Sequence, residues 1–303
     1  MSRMQFEARF PDDDACARYL ADKRWPDGFV CPACSGRKGW RLRRRLLTWE
    51  CAACGRQTSV TAGTVMARTH LPLRSWFIAV HIVTSHSNGI SALQLQAQLG
   101  LGSYKSAWLL LQKLRRAMVD PDRSLLQDLV EVDESELPFR SRNDPADAPR
   151  GGRSAAGKLF VAGAVELSED GHPRRIRLDP IRDFSAATLR AFLDRAASPG
   201  ARVITDGWRG YEGMPNHQHI AKVVGTAKAH EILRWVHRVF ANLKTWALGV
   251  YHGLRKVHLR RYLDEFVFRW NRRRHTHAAF DSLLRIGTKL GPATYRDFVS
   301  QKV

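Results

Sequence analysis

Two aspartates each close a short apolar run, and their position suggests metal chemistry. Asp133 ends the segment 129–133 (LVEVD), and Asp206 ends the segment 202–206 (RVITD). If both segments are strands, the two carboxylates lie at one edge of a sheet, where their oxygens suit a hard divalent cation such as Mg²⁺. Aspartates are also common turn residues at strand ends, so the spacing alone leaves both interpretations open.

Four of the five cysteines form two identical pairs. Cys31 and Cys34 make the first Cys-x2-Cys pair, Cys51 and Cys54 make the second, and 16 residues separate them. This spacing predicts a zinc ribbon, in which four thiolates surround a structural Zn²⁺. The alternative is a set of redox or disulfide cysteines. Cys16 lies outside the pattern, and we expect it to be a buried small residue.

The chain is strongly basic. Lys and Arg number 49 against 29 Asp and Glu, which gives a net charge of +20 over 303 residues. Such an excess attracts a polyanion, although a basic surface with no dedicated partner is the alternative. Arg43, Arg44 and Arg45 lie between the cysteine pairs, where they predict a cationic loop that contacts DNA phosphates.

Nothing in the sequence predicts a membrane partner. No apolar run reaches the roughly 18 residues that a spanning helix needs. Residues 1–6 also lack the apolar core of a signal peptide. We therefore expect a cytoplasmic protein with reduced cysteines.

Helical patterns dominate residues 71–120. An apolar helix is predicted over 73–85, a short helix over 90–99 that Gly100 ends, and an amphipathic helix over 104–118. In the last helix, Lys113, Arg115 and Arg116 are expected to face solvent. Two helices joined by a glycine-containing turn predict a helix-turn-helix-like DNA-binding segment, although an ordinary helical packing unit fits as well.

Strand patterns begin after Pro121. Strands are predicted over 129–133, 159–165, 174–178 and 201–206, with helices over 185–197, 227–248 and 257–273. Residues 140–157 are polar and rich in Pro and Gly, which predicts a flexible insertion. The expected fold is therefore multidomain α/β: an N-terminal helix and zinc ribbon (1–70), the helical segment (71–120), and a mixed-sheet domain with basic C-terminal helices (125–285).

Several motifs resemble the zinc-ribbon insertion-sequence transposases of bacteria. The segment 204–211 (ITDGWRGY) resembles the second-aspartate motif of that family, and 262–273 (YLDEFVFRWNRR) resembles its C-terminal helix signature. The segment 130–134 (VEVDE) is similar to its first-aspartate strand. The resemblance extends over about residues 10–285.

The resemblance implies an RNase H-like catalytic domain that uses Mg²⁺ or Mn²⁺. This domain would cut double-stranded DNA at the terminal repeats of the element and join the ends to target DNA. Asp133 and Asp206 would bind the metal and Lys244 would contact DNA near the site. Arg272 and Arg273 would add a DNA-binding face. It also implies a homo-oligomer on DNA and a location with the bacterial nucleoid.

The third catalytic position departs from the commonest family pattern. Members often carry Glu or Asn about seven residues before a helical lysine, and seven residues before Lys244 stands His237. A neutral imidazole can bind a divalent metal, but it suits softer ions than Mg²⁺. It could instead orient a water or a phosphate, or pack on the surface, and Glu265 is a rival third carboxylate.

The histidine keeps two further functions open. One is a zinc-ribbon DNA-binding regulator whose nuclease-like domain is degenerate and inactive. The other is a nuclease that cuts DNA without strand transfer. The leading hypothesis remains a transposase with Asp133, Asp206 and His237 as its catalytic residues.

Overall fold

The computed structural model divides into two compact units, Met1–Pro121 with Arg274–Gln301, and Asp122–Arg273. It describes residues 1–86, 88–138, 157–222, 232–251, 254, 256–275 and 277–299. The predicted flexible insertion 140–157 therefore lies almost entirely outside the described residues. Within the described ranges, no helix combines the length and apolarity needed to cross a bilayer.

The first unit combines helices with a small antiparallel sheet. Its helices are α1 (Arg3–Arg9), α2 (Asp13–Arg24), α3 (Leu73–Ser85), α4 (Ala92–Leu99) and α5 (Tyr104–Ala117). Its strands are β1 (Gly39–Arg41), β2 (Thr48–Cys51) and β3 (Gln57–Ser59), paired in the order β1-β2-β3. Cys16 of α2 is fully buried, and burial raises the pKa of its thiol to about 12, as expected for a packing residue.

The four paired cysteines converge at the end of the small sheet. Cys31 Sγ lies 3.7 Å from Cys54 Sγ, and Cys34 Sγ lies 3.6 Å from Cys51 Sγ. All four sulfurs lie within 4.8 Å of one another. Zn–S bonds of about 2.3 Å place tetrahedral sulfurs about 3.8 Å apart, so these thiols fit a structural zinc ion.

Each cysteine pair forms a knuckle of the same backbone shape. The Ser35 N–H donates to the Cys31 carbonyl, and the Gly55 N–H donates to the Cys51 carbonyl, both at 3.0 Å. Ser35 and Gly55 take positive φ angles of 58° and 67°. Gly36 is needed for space rather than for φ, because a Cβ there would stand 3.3 Å from the sulfurs of Cys34 and Cys51.

The pair α4 and α5 has the predicted helix-turn-helix outline. Gly100 ends α4 in the left-handed conformation, with φ at 61°. The prediction that Lys113 and Arg115 face solvent was wrong, because both are buried. The Lys113 ammonium lies over the Trp76 ring and donates to the Ala67 carbonyl. Residues 104–106, in the first turn of α5, are exposed, whereas the rest of the helix is buried or half-buried.

Helices α9 (His277–Lys289) and α10 (Tyr295–Val299) belong to this first unit. Phe280 of α9 packs its ring against the rings of Phe6, Phe10 and Phe77. The sequence prediction placed residues 274–285 in the mixed-sheet domain instead. These residues belong to the first unit because the apolar face of α9 completes an aromatic core built by the N-terminal helices.

The second unit is built on a five-stranded sheet in the order β6-β5-β4-β7-β8. Its strands are β4 (Leu129–Pro138), β5 (Lys158–Leu167), β6 (Pro173–Ile181), β7 (Arg202–Thr205) and β8 (Gln218–Ala221). Strands β4, β5 and β6 are antiparallel neighbours, whereas β7 runs parallel to β4 and β8 parallel to β7. This arrangement confirms the RNase H-like mixed sheet.

Helices cover both faces of this sheet. They are α6 (Ala186–Ala196), α7 (Arg234–Tyr251) and α8 (Leu259–Asn271). On one face, Val130 and Val203 pack with Phe192 of α6. On the other face, Val161 and Ile204 pack with the apolar sides of α7 and α8. Because side chains alternate along a strand, even positions of β4 face α6 and odd positions face α7.

Helix α7 is fixed to the sheet at two points. The buried Glu131 carboxylate of β4 accepts the backbone N–H groups of Trp235 (2.8 Å) and Val236 (2.9 Å), which satisfies donors in the first turn of α7. Phe240 lies on Gly163 of β5, where a Cβ would come within 2.7 Å of the ring. These contacts set the height and position of the helix face between them.

We expect Glu131→Ala to loosen the start of α7, because two helix N–H groups lose a charged acceptor. The free energy of unfolding should fall by about 2–4 kcal/mol. Hydrogen exchange measured by mass spectrometry should speed up at residues 232–240. Glu166→Ala, which removes another buried glutamate, should leave exchange in α7 unchanged. Equal exchange in wild type and Glu131→Ala would contradict this role.

Gly36→Ala is expected to weaken zinc binding, because the added Cβ presses on two sulfurs whose positions the ion fixes. Changes next to metal ligands typically cost roughly 10–100-fold in affinity. Competition with a chromogenic chelator measures the effect. Gly102→Ala is the control, since a Cβ there meets nothing within 4 Å. An unchanged affinity in Gly36→Ala would mean that the four sulfurs hold zinc in another arrangement.

Candidate active site

The register between β4 and β7 brings the two aspartates to one level. The last parallel pair joins Glu131 to Ile204. Asp133 stands two residues further along β4, and Asp206 stands two residues after Ile204, just past the end of β7. The sequence predicted that Asp133 ends its strand. In the structure it does not, because β4 continues to Pro138 along its antiparallel partner β5. It instead lies just beyond the segment that β7 covers, since β7 ends at Thr205.

Asp133 belongs to the face of the sheet that α7 covers, because it follows Glu131 by two residues on β4. Asp206 lies just past the end of β7, and its negative charge contributes to the raised pKa of Asp133. The Asp206 carboxylate also accepts the backbone N–H of Trp208 at 2.9 Å, which fixes the turn after β7. The two carboxylates are therefore neighbours at an open edge of the sheet.

The electrostatics of this edge favour a bound cation. Burial, together with the negative charges of Glu134 and Asp206, raises the pKa of Asp133 to about 7, although the Glu134 backbone N–H and the charge of Lys244 oppose the shift. Burial also raises the pKa of Glu134 to about 7, with Asp206 again contributing. Carboxylates that are partly desolvated and repel one another gain most from a divalent ion between them.

His237 of α7 completes the group. Its Nε2 lies 3.6 Å from Asp133 Oδ2, and its side chain is 33% exposed. Lys244 follows two helical turns later on the same face and is half-buried. The two contacts that fix α7, at Glu131 and at Gly163, lie on either side of His237. The strand that carries Asp133 thus also positions His237.

A second layer of side chains supports the site, and sequence reasoning missed it. The Tyr211 hydroxyl donates to Glu134 at 2.5 Å, and Thr205 Oγ1 lies 2.8 Å from His219 Nε2. Glu131 was also missed as a helix anchor. Its signal was present, because Glu131 and Asp133 share one strand face, and a buried glutamate needs partners. Its partners on α7 are about 100 residues away in sequence.

Glu265, the rival third carboxylate, has a structural environment. It is 2% exposed and lies in α8. Its carboxylate accepts hydrogen bonds from the Arg269 guanidinium at 2.9 Å and from the Tyr251 hydroxyl at 3.2 Å. These partners occupy it inside the helical layer, whereas His237 lies against Asp133.

The arginines expected to bind DNA have unequal surroundings. Arg43, Arg44 and Arg45 lie in the exposed loop between β1 and β2. Arg273, in contrast, donates to the carbonyl groups of Pro173, Arg174 and Trp270 at 2.6, 3.1 and 2.9 Å. Arg272 lies over the Phe268 ring at 3.9 Å. Arg273 therefore binds backbone carbonyl groups at the start of β6, whereas the arginines of the ribbon loop are exposed to solvent.

The donor set at the carboxylate edge fits a divalent ion without enclosing one tightly. Two carboxylates and one imidazole are ligands of Mg²⁺, Mn²⁺ and related ions. Among the described residues, the four cysteines are the group whose ligand atoms all lie within 4.8 Å. The ligand atoms of Asp133, Asp206 and His237 do not all lie within that distance of one another, so the structure brings these residues near each other without forming a closed ligand set.

Two parts of the chain match known protein families. Residues 11–57 match the transposase zinc-ribbon domain, and residues 125–271 match the ISXO2-like transposase domain. A relative from Halobacterium salinarum, an uncharacterized protein in transposable element ISH50, is 28% identical over 219 residues, covering 68% of this chain and 71% of that protein.

Two solved structures show a weaker likeness. One is a pre-cleavage Mos1 transpososome, with a TM-score of 0.31 and 15% identity, covering 72% of this chain and 79% of that one. The other is the Mos1 strand transfer complex, with a TM-score of 0.32 and 14% identity, covering 72% and 78%. The two domain matches and the ISH50 relative show that this chain belongs to the zinc-ribbon family of insertion-sequence transposases.

Proposed function

We propose that this protein cuts DNA at the ends of its mobile element and joins the freed ends to target DNA. The proposal rests on the register of β4 and β7, which brings Asp133 of β4 and Asp206, just past the end of β7, to the same level, with His237 beside Asp133. Membership of a transposase family supports a DNA-cutting enzyme. The catalytic residues and the Mg²⁺ dependence are parts of this proposal.

Each residue of the proposed site has a different role. Asp133 and Asp206 bind Mg²⁺ or Mn²⁺, which when bound supplies activation of the attacking oxygen and stabilisation of the leaving oxygen. Asp133 must lose its proton to bind, because its pKa lies at about 7. His237 offers an imidazole nitrogen to the metal or to a water. The Lys244 ammonium is placed to hold a phosphate oxygen.

Double-stranded DNA is the proposed partner, as element terminal repeats and as target. The exposed Arg43, Arg44 and Arg45, together with the net charge of +20, support phosphate contacts. Two ends must be held together for joining, so we expect the protein to self-associate on DNA. These substrates imply a cytoplasmic, nucleoid-associated location.

A regulator with an inactive nuclease-like domain is the second candidate, and His237 is the observation that favours it. Magnesium-dependent nicking of an oligonucleotide that carries the element end separates the two. A nuclease without strand transfer would give nicked products but no joined ones.

The variant Asp206→Asn should lose cleavage by at least about 10³-fold, because an amide binds a divalent cation far more weakly than a carboxylate. Binding to the element end, measured by gel shift, should change little. Asp170→Asn, in the exposed turn between β5 and β6, is the matched control and should cleave normally. Unchanged cleavage by Asp206→Asn would refute the proposed site.

Replacing His237 should change the metal preference. Imidazole favours softer ions, so wild-type cleavage should be faster with Mn²⁺ than with Mg²⁺, and His237→Glu should raise the Mg²⁺ to Mn²⁺ rate ratio by roughly tenfold. His217→Glu, a loop histidine on the same unit, is the control. A ratio that stays constant in His237→Glu would exclude His237 as a metal ligand.

A further inference from the structure

Trp208 is a large aromatic side chain left in solvent beside the proposed active site. It is 51% exposed. It follows Asp206 by two residues, so the two Cα atoms are at most about 7 Å apart. An indole has an extensive apolar surface, and most proteins bury it. Its exposure next to a metal-binding aspartate therefore calls for a physical explanation.

The indole is held in place rather than loosely exposed. The Trp208 backbone N–H donates to Asp206 Oδ1 at 2.9 Å, and the indole Nε1–H donates to the Phe184 carbonyl at 3.4 Å. It also lies against Gly210, where a Cβ would come within 2.6 Å of Nε1. Glycine at 210 thus makes room for the ring, and the Asp206 carboxylate fixes the backbone from which the ring extends.

The residue that accepts the indole N–H is itself fixed by packing. The Phe184 ring lies against the Phe160 ring, with centroids 4.7 Å apart. Arg209 follows Trp208 directly and is exposed. A fixed aromatic surface next to an exposed cation is the combination that binds unpaired nucleotides, through base stacking and phosphate contact.

We propose that Trp208 stacks on a DNA base that leaves the duplex beside the phosphate cut at Asp133 and Asp206. This inference rests on the proposed function. Neighbouring bases in DNA are about 3.4 Å apart, so the indole can reach the nucleotides next to the scissile bond. Stacking uses the π face common to all bases, so Trp208 holds the strand open without selecting its sequence. It is a positioning residue for the cut strand.

The first test places 2-aminopurine at the nucleotide next to the cleaved bond, in a duplex that carries the element end and its flanking DNA. Stacking on Trp208 should quench its fluorescence when the wild-type protein binds, and Trp208→Ala should abolish the quench. Trp208→Phe, which keeps a ring, should retain part of it. The same quench in Trp208→Ala would overturn the proposal.

The second test asks whether the substrate can replace the side chain. Trp208→Ala should slow cleavage of the intact duplex roughly 5- to 150-fold, the range expected for one lost base–aromatic contact. An abasic site at the neighbouring nucleotide removes the cost of unstacking, and it should restore most of that rate. A role limited to folding would give no such rescue.

Trp40→Ala is the matched control. Trp40 is also 51% exposed, but it lies in β1 of the zinc ribbon, so an abasic substrate should not change the effect of its loss. If Asp206→Asn abolishes cleavage while Trp208→Ala shows no rescue, the stacking role fails and the proposed function stands. Loss of self-association in Trp208→Ala, with normal quenching, would assign the indole to a protein contact and overturn the proposal.

Discussion

The parallel pairing of β4 with β7 is the constraint on which the second unit depends. Strand β4 is committed along one edge to ten residues of β5, whereas β7 covers only its first three residues. Asp133 therefore pairs with β5 on one side but lies beyond the last residue of β4 that pairs with β7 on the other. Asp206 lies at the same level. A one-residue slip in this register would turn one carboxylate to the α6 face and disperse the site.

The same strand also controls the helix above it. Glu131 and Asp133 lie on one face of β4, the first anchoring α7 and the second contacting His237. Gly163, the partner of Asp133 on β5, admits Phe240 of the same helix. The contact that anchors α7 and the contact with His237 thus lie two residues apart on one strand. A displaced α7 would therefore also displace His237 from Asp133.

Much of this architecture was predictable from local patterns in the sequence. These patterns are the cysteine spacing, the apolar segments around Asp133 and Asp206, and the two-turn separation of His237 from Lys244. Each can be recognised without knowledge of the fold. Contacts between distant segments were not predictable in the same way. Glu131 finds its partners at Trp235 and Val236, and the burial of Lys113 depends on Trp76 and Ala67. The exposure of Trp208 likewise depends on Phe184 and Gly210, whose positions only the folded loop defines.

The packing of Phe280 against Phe6, Phe10 and Phe77 has a consequence for how the protein is made. The second unit is continuous in sequence and can fold once residue 273 has left the ribosome, because domains fold as units during synthesis. The first unit begins the chain yet lacks α9 until residues 277–289 are translated. A message cut short before that point would yield a complete sheet domain with an unfinished aromatic core in the unit that carries the zinc ribbon. The first unit is therefore completed only after the second unit has been translated.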